Sequence, residues 1–189
     1  MRKLYRYLTI LFIFLLASCN LEDVNSDTSK GKNNKSSKQV SEVTEDDFIY
    51  RLVSEKGQYE ANEQVGIYAE LEYVGDKDEI KIFHAASPFH FPMYEKTRGY
   101  EIGYIMEEPL LTTTITKGEP LREEYKGSGV YSAEDSEEYV NFIEAINDNQ
   151  FLAGHYEVNG FADFYVQTND SKREYKIKSQ VEFKVKDNK

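Results

Sequence analysis

The sequence predicts an all-β sandwich with one inserted α-helix, and three observations carry that expectation. Apolar residues alternate with polar ones at a period of two in several separate runs, the mark of half-buried strands. Fifteen Tyr and eleven Phe, with no Trp, supply the bulk of an apolar interior, and aromatic enrichment favours strands. One stretch alone changes to helical spacing. A body of roughly 140 residues is ample for a single core.

The first strand is expected at Phe48 to Val53, followed by a polar turn at Tyr59 to Glu63. Val65, Ile67, Ala69, Leu71 and Tyr73 then alternate with more polar neighbours, and Gly75-Asp76-Lys77-Asp78 turns the chain. Ile80, Ile82 and His84 make the next strand. From Ala85 to Thr97 the pattern is irregular, and Pro88 and Pro92 block a central strand there. Tyr100, Ile102, Tyr104 and Met106 resume the alternation until Pro109, and Leu111, Thr113 and Ile115 form a strand before the turn at Lys117 to Pro120. Leu121 to Tyr125 reads as one more short strand.

The helix is expected at about 134–147. Tyr139, Phe142, Ile143 and Ile146 fall at i, i+3, i+4 and i+7, one face of a helix. Ser132 with Asp135 fits a capping box, and Glu134, Glu137 and Glu138 suit the positive end of the dipole. After it, Tyr156, Val158, Gly160, Ala162, Phe164 and Val166 alternate inward. Thr168 to Arg173 is a turn, and Tyr175, Ile177, Val181, Phe183 and Val185 complete the last strand.

Ahead of this body lies an address. Arg2, Lys3 and Arg6 precede an apolar run, Leu8 to Ala17, broken only by Thr9. The run is short of the roughly 20 residues that a membrane-spanning helix needs, and it suits a secretory signal. It ends in Leu16-Ala17-Ser18-Cys19, which holds the only cysteine of the chain. These four residues resemble the lipobox of bacterial lipoproteins. The resemblance implies cleavage between Ser18 and Cys19 and an S-diacylglyceryl group on the Cys19 thiol. It leaves open whether the new amino group becomes acylated, giving an N-acyl cysteine. Residues 1–18 would then be the signal peptide, 19–47 a lipidated flexible tether, and 48–189 the folded domain. The tether follows from composition, since its Ser, Asn, Lys, Asp and Glu bury too little to offset ordering. With Cys19 acylated, no disulfide is possible and the core alone must hold the fold.

The chain carries 23 basic and 34 acidic residues, a net charge of −11. Taking Arg2, Lys3 and Arg6 from the 23 leaves 20 basic against 34 acidic, or −14. Such a surface argues against nucleic acid, whose phosphates seek basic patches. It also argues against electrostatic docking on anionic lipid, so the acyl chains must do the anchoring. The expected partners are therefore membrane lipid through Cys19 and an envelope protein or cell-wall component.

Leu152-Ala153-Gly154-His155-Tyr156 resembles the tyrosine corner of immunoglobulin-like domains, in which a Tyr hydroxyl bonds back to upstream backbone. Tyr156 would be that tyrosine and Gly154 the tight bend. The body thus resembles an immunoglobulin-like β-sandwich, without the Cys and Trp hallmarks of antibody domains. It also shares a strand of the Val65 to Tyr73 kind and the Gly-x-Tyr hairpin with small exported bacterial domains of the proteinase-inhibitor type. An up-and-down barrel is the alternative architecture.

No catalytic constellation stands out, and the chain is expected not to be an enzyme and to need no cofactor. His84 and His90 flank Ser87-Pro88-Phe89, and with Asp163 or Glu79 they could approach a zinc site, but no recognised ligand spacing is present. Gly127-Ser128-Gly129 is not a nucleophile elbow. Asp76, Asp78 and Glu79 lack the order of a calcium loop. The irregular segment is the candidate binding loop, through His84, Phe89, His90, Phe91 and Tyr94, unless its aromatics fold over the core. The expected function is a non-enzymatic binding or structural module. The alternatives are an inhibitor of extracytoplasmic proteases presenting Ser87 to Tyr94, and a hydrolase or metal-binding envelope protein.

Overall fold

The computed structural model describes residues 37–168 and 171–187. The signal, Ser18, Cys19 and the first part of the expected tether lie outside the described residues. The fold is mostly β-strand with one short helix, in three sheets.

The first sheet has the order β1-β2-β4-β10, from β1 (Gln39–Glu45), β2 (Phe48–Ser54), β4 (Ile67–Tyr73) and β10 (Leu121–Glu124). The expected tether ran to Asp47, but Gln39–Glu45 pairs with β2 along its whole length. Its alternation is faint, with Val43 half-buried and Val40 exposed. An outer strand needs little apolar surface once its backbone finds a ladder. On β2, Phe48, Tyr50 and Leu52 face inward, as do Ala69, Leu71 and Tyr73 on β4.

The second sheet runs β3-β14-β11-β7-β8 and the third β13-β12-β5-β9. Their members are β3 (Gln58–Tyr59), β5 (Glu79–His84), β7 (Met93–Glu95), β8 (Tyr100–Ile102), β9 (Leu111–Thr116), β11 (Gly154–Val158), β12 (Phe161–Gln167), β13 (Lys172–Lys178) and β14 (Val181–Val185). The short β6 (Phe89–His90) adds to β12.

The sequence predicts two long final strands. Each is broken instead, at 159–160 and at 179–180, while the pairing register runs on unchanged from Val158↔Val181 to Phe161↔Lys178. A single bent hairpin therefore serves both sheets. At the bend Gly160 presses on β2: a Cβ there would lie 2.8 Å from Leu52 Cδ1 and 2.9 Å from the Tyr50 hydroxyl. The Asn159 N–H turns away to the carbonyl of Pro92, at 2.8 Å.

One core joins the sheets. The Phe48 ring meets Phe164 at 4.8 Å and Tyr175 at 5.1 Å, so the first sheet packs on the third as layers of a sandwich do. Tyr156 stacks on Phe183 at 5.0 Å, and the Tyr156 hydroxyl donates to the Leu152 carbonyl at 2.6 Å. That bond is the one the Gly154-x-Tyr156 pattern predicts.

The helix, α1 (Glu137–Asn147), buries Phe142, Ile143 and Ile146, the expected stripe. It starts later than 134. Ser132 and Asp135 form a turn in which the Ser132 N–H donates to Asp135 Oδ2 at 2.6 Å, and Ser136 is the true N-cap, accepting from the Tyr139 N–H. Asn149, just past the C-cap, has φ 57°, a conformation that Asn tolerates.

Candidate functional site

Among the candidate binding residues, Phe89 and Phe91 point into the core and are 0% and 2% exposed. The cause is strand alternation in β6 and beyond: Phe89, Phe91 and Met93 take the inner positions and His90 takes an outer one. The segment 85–97 is thus not a protruding loop, and its two phenylalanines are packing residues. Tyr94 lies outward on β7 in the second sheet, whereas His90 pairs with Phe161 in the third. These residues do not form one surface.

A different grouping does form. The stretch 103–110 has no regular structure and runs beside 84–90, with the Ala86 N–H donating to Glu107 O at 3.1 Å. Between it and the outer face of β12 opens a cleft of about 530 Å³. His84 and His90 line it on one side, and Asp163 and Tyr165 form its floor. Tyr104, Met106 and Glu108 close the other side, with the exposed Ile105 and Leu110 at the rim.

His84 is buried at the end of β5. Its Nδ1 lies 2.8 Å from the Ala85 carbonyl, which can only accept, so Nδ1 holds the proton. In the neutral ring Nε2 then accepts from the Thr113 hydroxyl, also at 2.8 Å. The lone pair a metal or a general base would need is already engaged. His84 is a structural histidine in the wall of the cleft.

His90 is differently placed. Its ring lies flat on Phe161, with centroids 4.4 Å apart and planes 9° apart, and meets Tyr104 edge-on at 5.7 Å. Burial holds its imidazole below the usual range, against the opposing pull of the Asp163 and Glu108 carboxylates. At neutral pH it is an uncharged ring. Asp163 is 3.4 Å from Lys176, whose ammonium also sits over the Phe161 ring at 4.3 Å. Tyr165 stacks on Phe83 at 4.8 Å and carries Lys172 over its own ring at 4.1 Å.

The zinc grouping weighed from sequence is met only in part. His84, His90 and Asp163 share the cleft, while Glu79 stands at the opposite end of β5 from His84. Among the described residues no group of three His, Cys, Asp or Glu side chains is placed to hold a metal ion. His155 lies on β11 and bonds Glu182 at 2.8 Å, outside the cleft. The cleft thus offers hydrogen-bonding tips on an apolar wall, a set suited to binding.

No family model matches the chain, and no curated protein matches it. A crystal structure of a protein from Archaeoglobus fulgidus is similar at a TM-score of 0.33 and 10% identity, over 79% of this chain and 95% of that one. A likeness that slight carries no argument about fold or activity.

Sequence reasoning found His84, His90 and Asp163 but missed Tyr104, Tyr165, Ile105 and Leu110 as neighbours. The alternation of Tyr100 to Met106 suggested a strand, which ends at Ile102. Pro109, where the sequence pattern ends the run, lies seven residues beyond that point and does not account for the early departure.

Proposed function

We propose that the chain is a lipoprotein, held by acylated Cys19 at the extracytoplasmic face of a bacterial membrane, and that it acts there as a non-enzymatic binding module. Leu16-Ala17-Ser18-Cys19 supports the anchor. The observation that carries the binding role is the cleft: it joins an apolar rim at Ile105 and Leu110 to the polar tips of His90, Tyr104 and Asp163. His84, its more buried histidine, has both nitrogens occupied, which supports binding over general-base chemistry.

The finer fold reading belongs here too. We infer an immunoglobulin-like sandwich, supported by the bond from the Tyr156 hydroxyl to Leu152. The expected partner is an envelope protein or cell-wall component; Glu108 and Asp163 line the cleft, but Lys176 lies 3.4 Å from Asp163, so its charge selects no sign of partner.

Two experiments test this reading. Cys19→Ala should move the protein from the membrane fraction to the soluble fraction; equal membrane retention would overturn the anchor. The Cys19→Ala protein, free of the acyl anchor, should co-sediment with purified envelope material, and adding Ile105→Ser with Leu110→Ser, both exposed rim residues, should abolish that while leaving thermal unfolding nearly unchanged. Undiminished co-sedimentation with both rim residues changed would remove the cleft from the interaction.

A further inference from the structure

Outer strands present unpaired backbone groups, and proteins guard them with charge, proline, bulges or brevity. Here β1 carries Glu42 and Glu45, β10 carries Arg122, Glu123 and Glu124, and β8 carries Glu101. At one edge of the third sheet, β13 holds five charged residues, and β3 is only two residues long. The remaining edge is β9, Leu111-Thr112-Thr113-Thr114-Ile115-Thr116. Among the described residues it is the one edge strand longer than two residues with no charged side chain, in a chain that is 30% charged.

The hydrogen-bond phase of β9 can be read directly. The Lys117 N–H donates to Asp78 O at 2.8 Å, and this pair continues the Glu79↔Thr116 register. Residues 111, 113 and 115 therefore bond inward to β5, and Thr112 and Thr114 turn their N–H and C=O groups outward, while the Thr116 carbonyl accepts from the Glu119 N–H at 3.1 Å. All three threonines are exposed, and Leu110 and Leu111 beside them are exposed at 69% and 43%.

From this edge we infer that two copies of the chain associate by antiparallel pairing of β9 with β9. The outward phase selects a register in which Thr112 faces Thr114 of the second copy and Thr114 faces its Thr112. The two-fold axis then passes between the two Thr113 residues. Leu111 falls opposite Ile115, which is already buried, so the pairing rests on the backbone ladder and the threonines. Opposed threonines are favourable cross-strand pairs. The strand is its own complement: no charge of an acidic body is opposed to its like along the seam. A partner of other sequence would not need that symmetry.

Sedimentation equilibrium of the full-length chain in density-matched detergent tests this. The wild type should show twice the chain mass, with reversible dissociation on dilution. Thr114→Pro removes an N–H that β5 does not use, so the fold should keep its unfolding temperature while dissociation weakens by about tenfold or more. Thr112→Lys combined with Thr114→Lys places like charges directly opposite across the seam and should do the same; it alone decides if Thr114→Pro fails to fold. A wild-type chain that is monomeric at every concentration overturns the inference, and so does a dimer of the double lysine variant as tight as the wild type.

Discussion

The α-carbon of Gly154 faces the carboxylate of Glu95 so closely that a Cβ on residue 154 would lie 2.5 Å from Oε1. Glu95 is 0% exposed, and its oxygens cannot retreat. Oε1 accepts from the Thr97 N–H at 2.8 Å and the His155 N–H at 3.2 Å; Oε2 accepts from the Arg98 N–H at 2.7 Å and its guanidinium at 3.3 Å. Gly154→Ala should therefore destabilise the fold by about 1–3 kcal/mol, the usual cost of overpacking. Urea unfolding measures it, and an unchanged midpoint would show that the carboxylate yields.

The same carboxylate sets an acid dependence. Burial alone would push the Glu95 carboxyl up, but the hydrogen bonds from Thr97, Arg98 and His155 outweigh it and hold it below the usual range. A folded-state value below the unfolded one contributes stability that is complete above about pH 4.3 and is lost as pH falls through the folded value. Glu95→Gln should lower stability at neutral pH by about 1–3 kcal/mol, because an amide leaves donors unpaired. It should also flatten the decline in unfolding free energy below about pH 4. Wild-type and variant curves that stay parallel through that range would contradict the assignment.

Two tyrosine hydroxyls make an opposed pair. The Tyr156 hydroxyl bonds Leu152 O, whereas the buried Tyr50 hydroxyl has no partner among the described residues. Burial pushes both phenols well above their ordinary value. Tyr156→Phe should cost about 1 kcal/mol, while Tyr50→Phe should be neutral or stabilising, since it removes a polar atom held away from water. Thermal unfolding distinguishes them. A loss at Tyr50 equal to that at Tyr156 would point to an unseen bond at Tyr50.

Phe89→Ala and Phe91→Ala should each destabilise by about 3–5 kcal/mol, the range for emptying a buried aromatic site. Phe89 stacks near Tyr50 at 6.2 Å and Phe91 meets Tyr104 at 5.9 Å. If either variant unfolds like the wild type in urea, its ring is not the packing element its burial implies.

The sequence was most legible where period and face agree. Ile67 to Tyr73, the Phe142–Ile146 stripe and the Gly154-x-Tyr156 corner each state their environment locally. β1 was hidden because its ladder with β2 is a backbone matter, and its side chains say little. The broken final strands were hidden because the Gly160 bend answers to Leu52 and Tyr50, more than a hundred residues earlier in the chain. The cleft was hidden for a like reason. His90, Tyr104 and Asp163 come from separate segments, and no spacing along the chain encodes their meeting.

The bent hairpin of residues 154–185 has a consequence for when this molecule can fold. β3 leans on β14, β7 on β11, and β5 on β12. Until the last thirty or so residues leave the ribosome, β3 has no strand to pair with, and the β5–β9 and β7–β8 pairs have no central strands to join, since long-range pairing waits on chain closure. The second and third sheets must therefore assemble late and together. Those two sheets can close only once the end of the chain is free, a delay that would suit a polypeptide proposed to be exported.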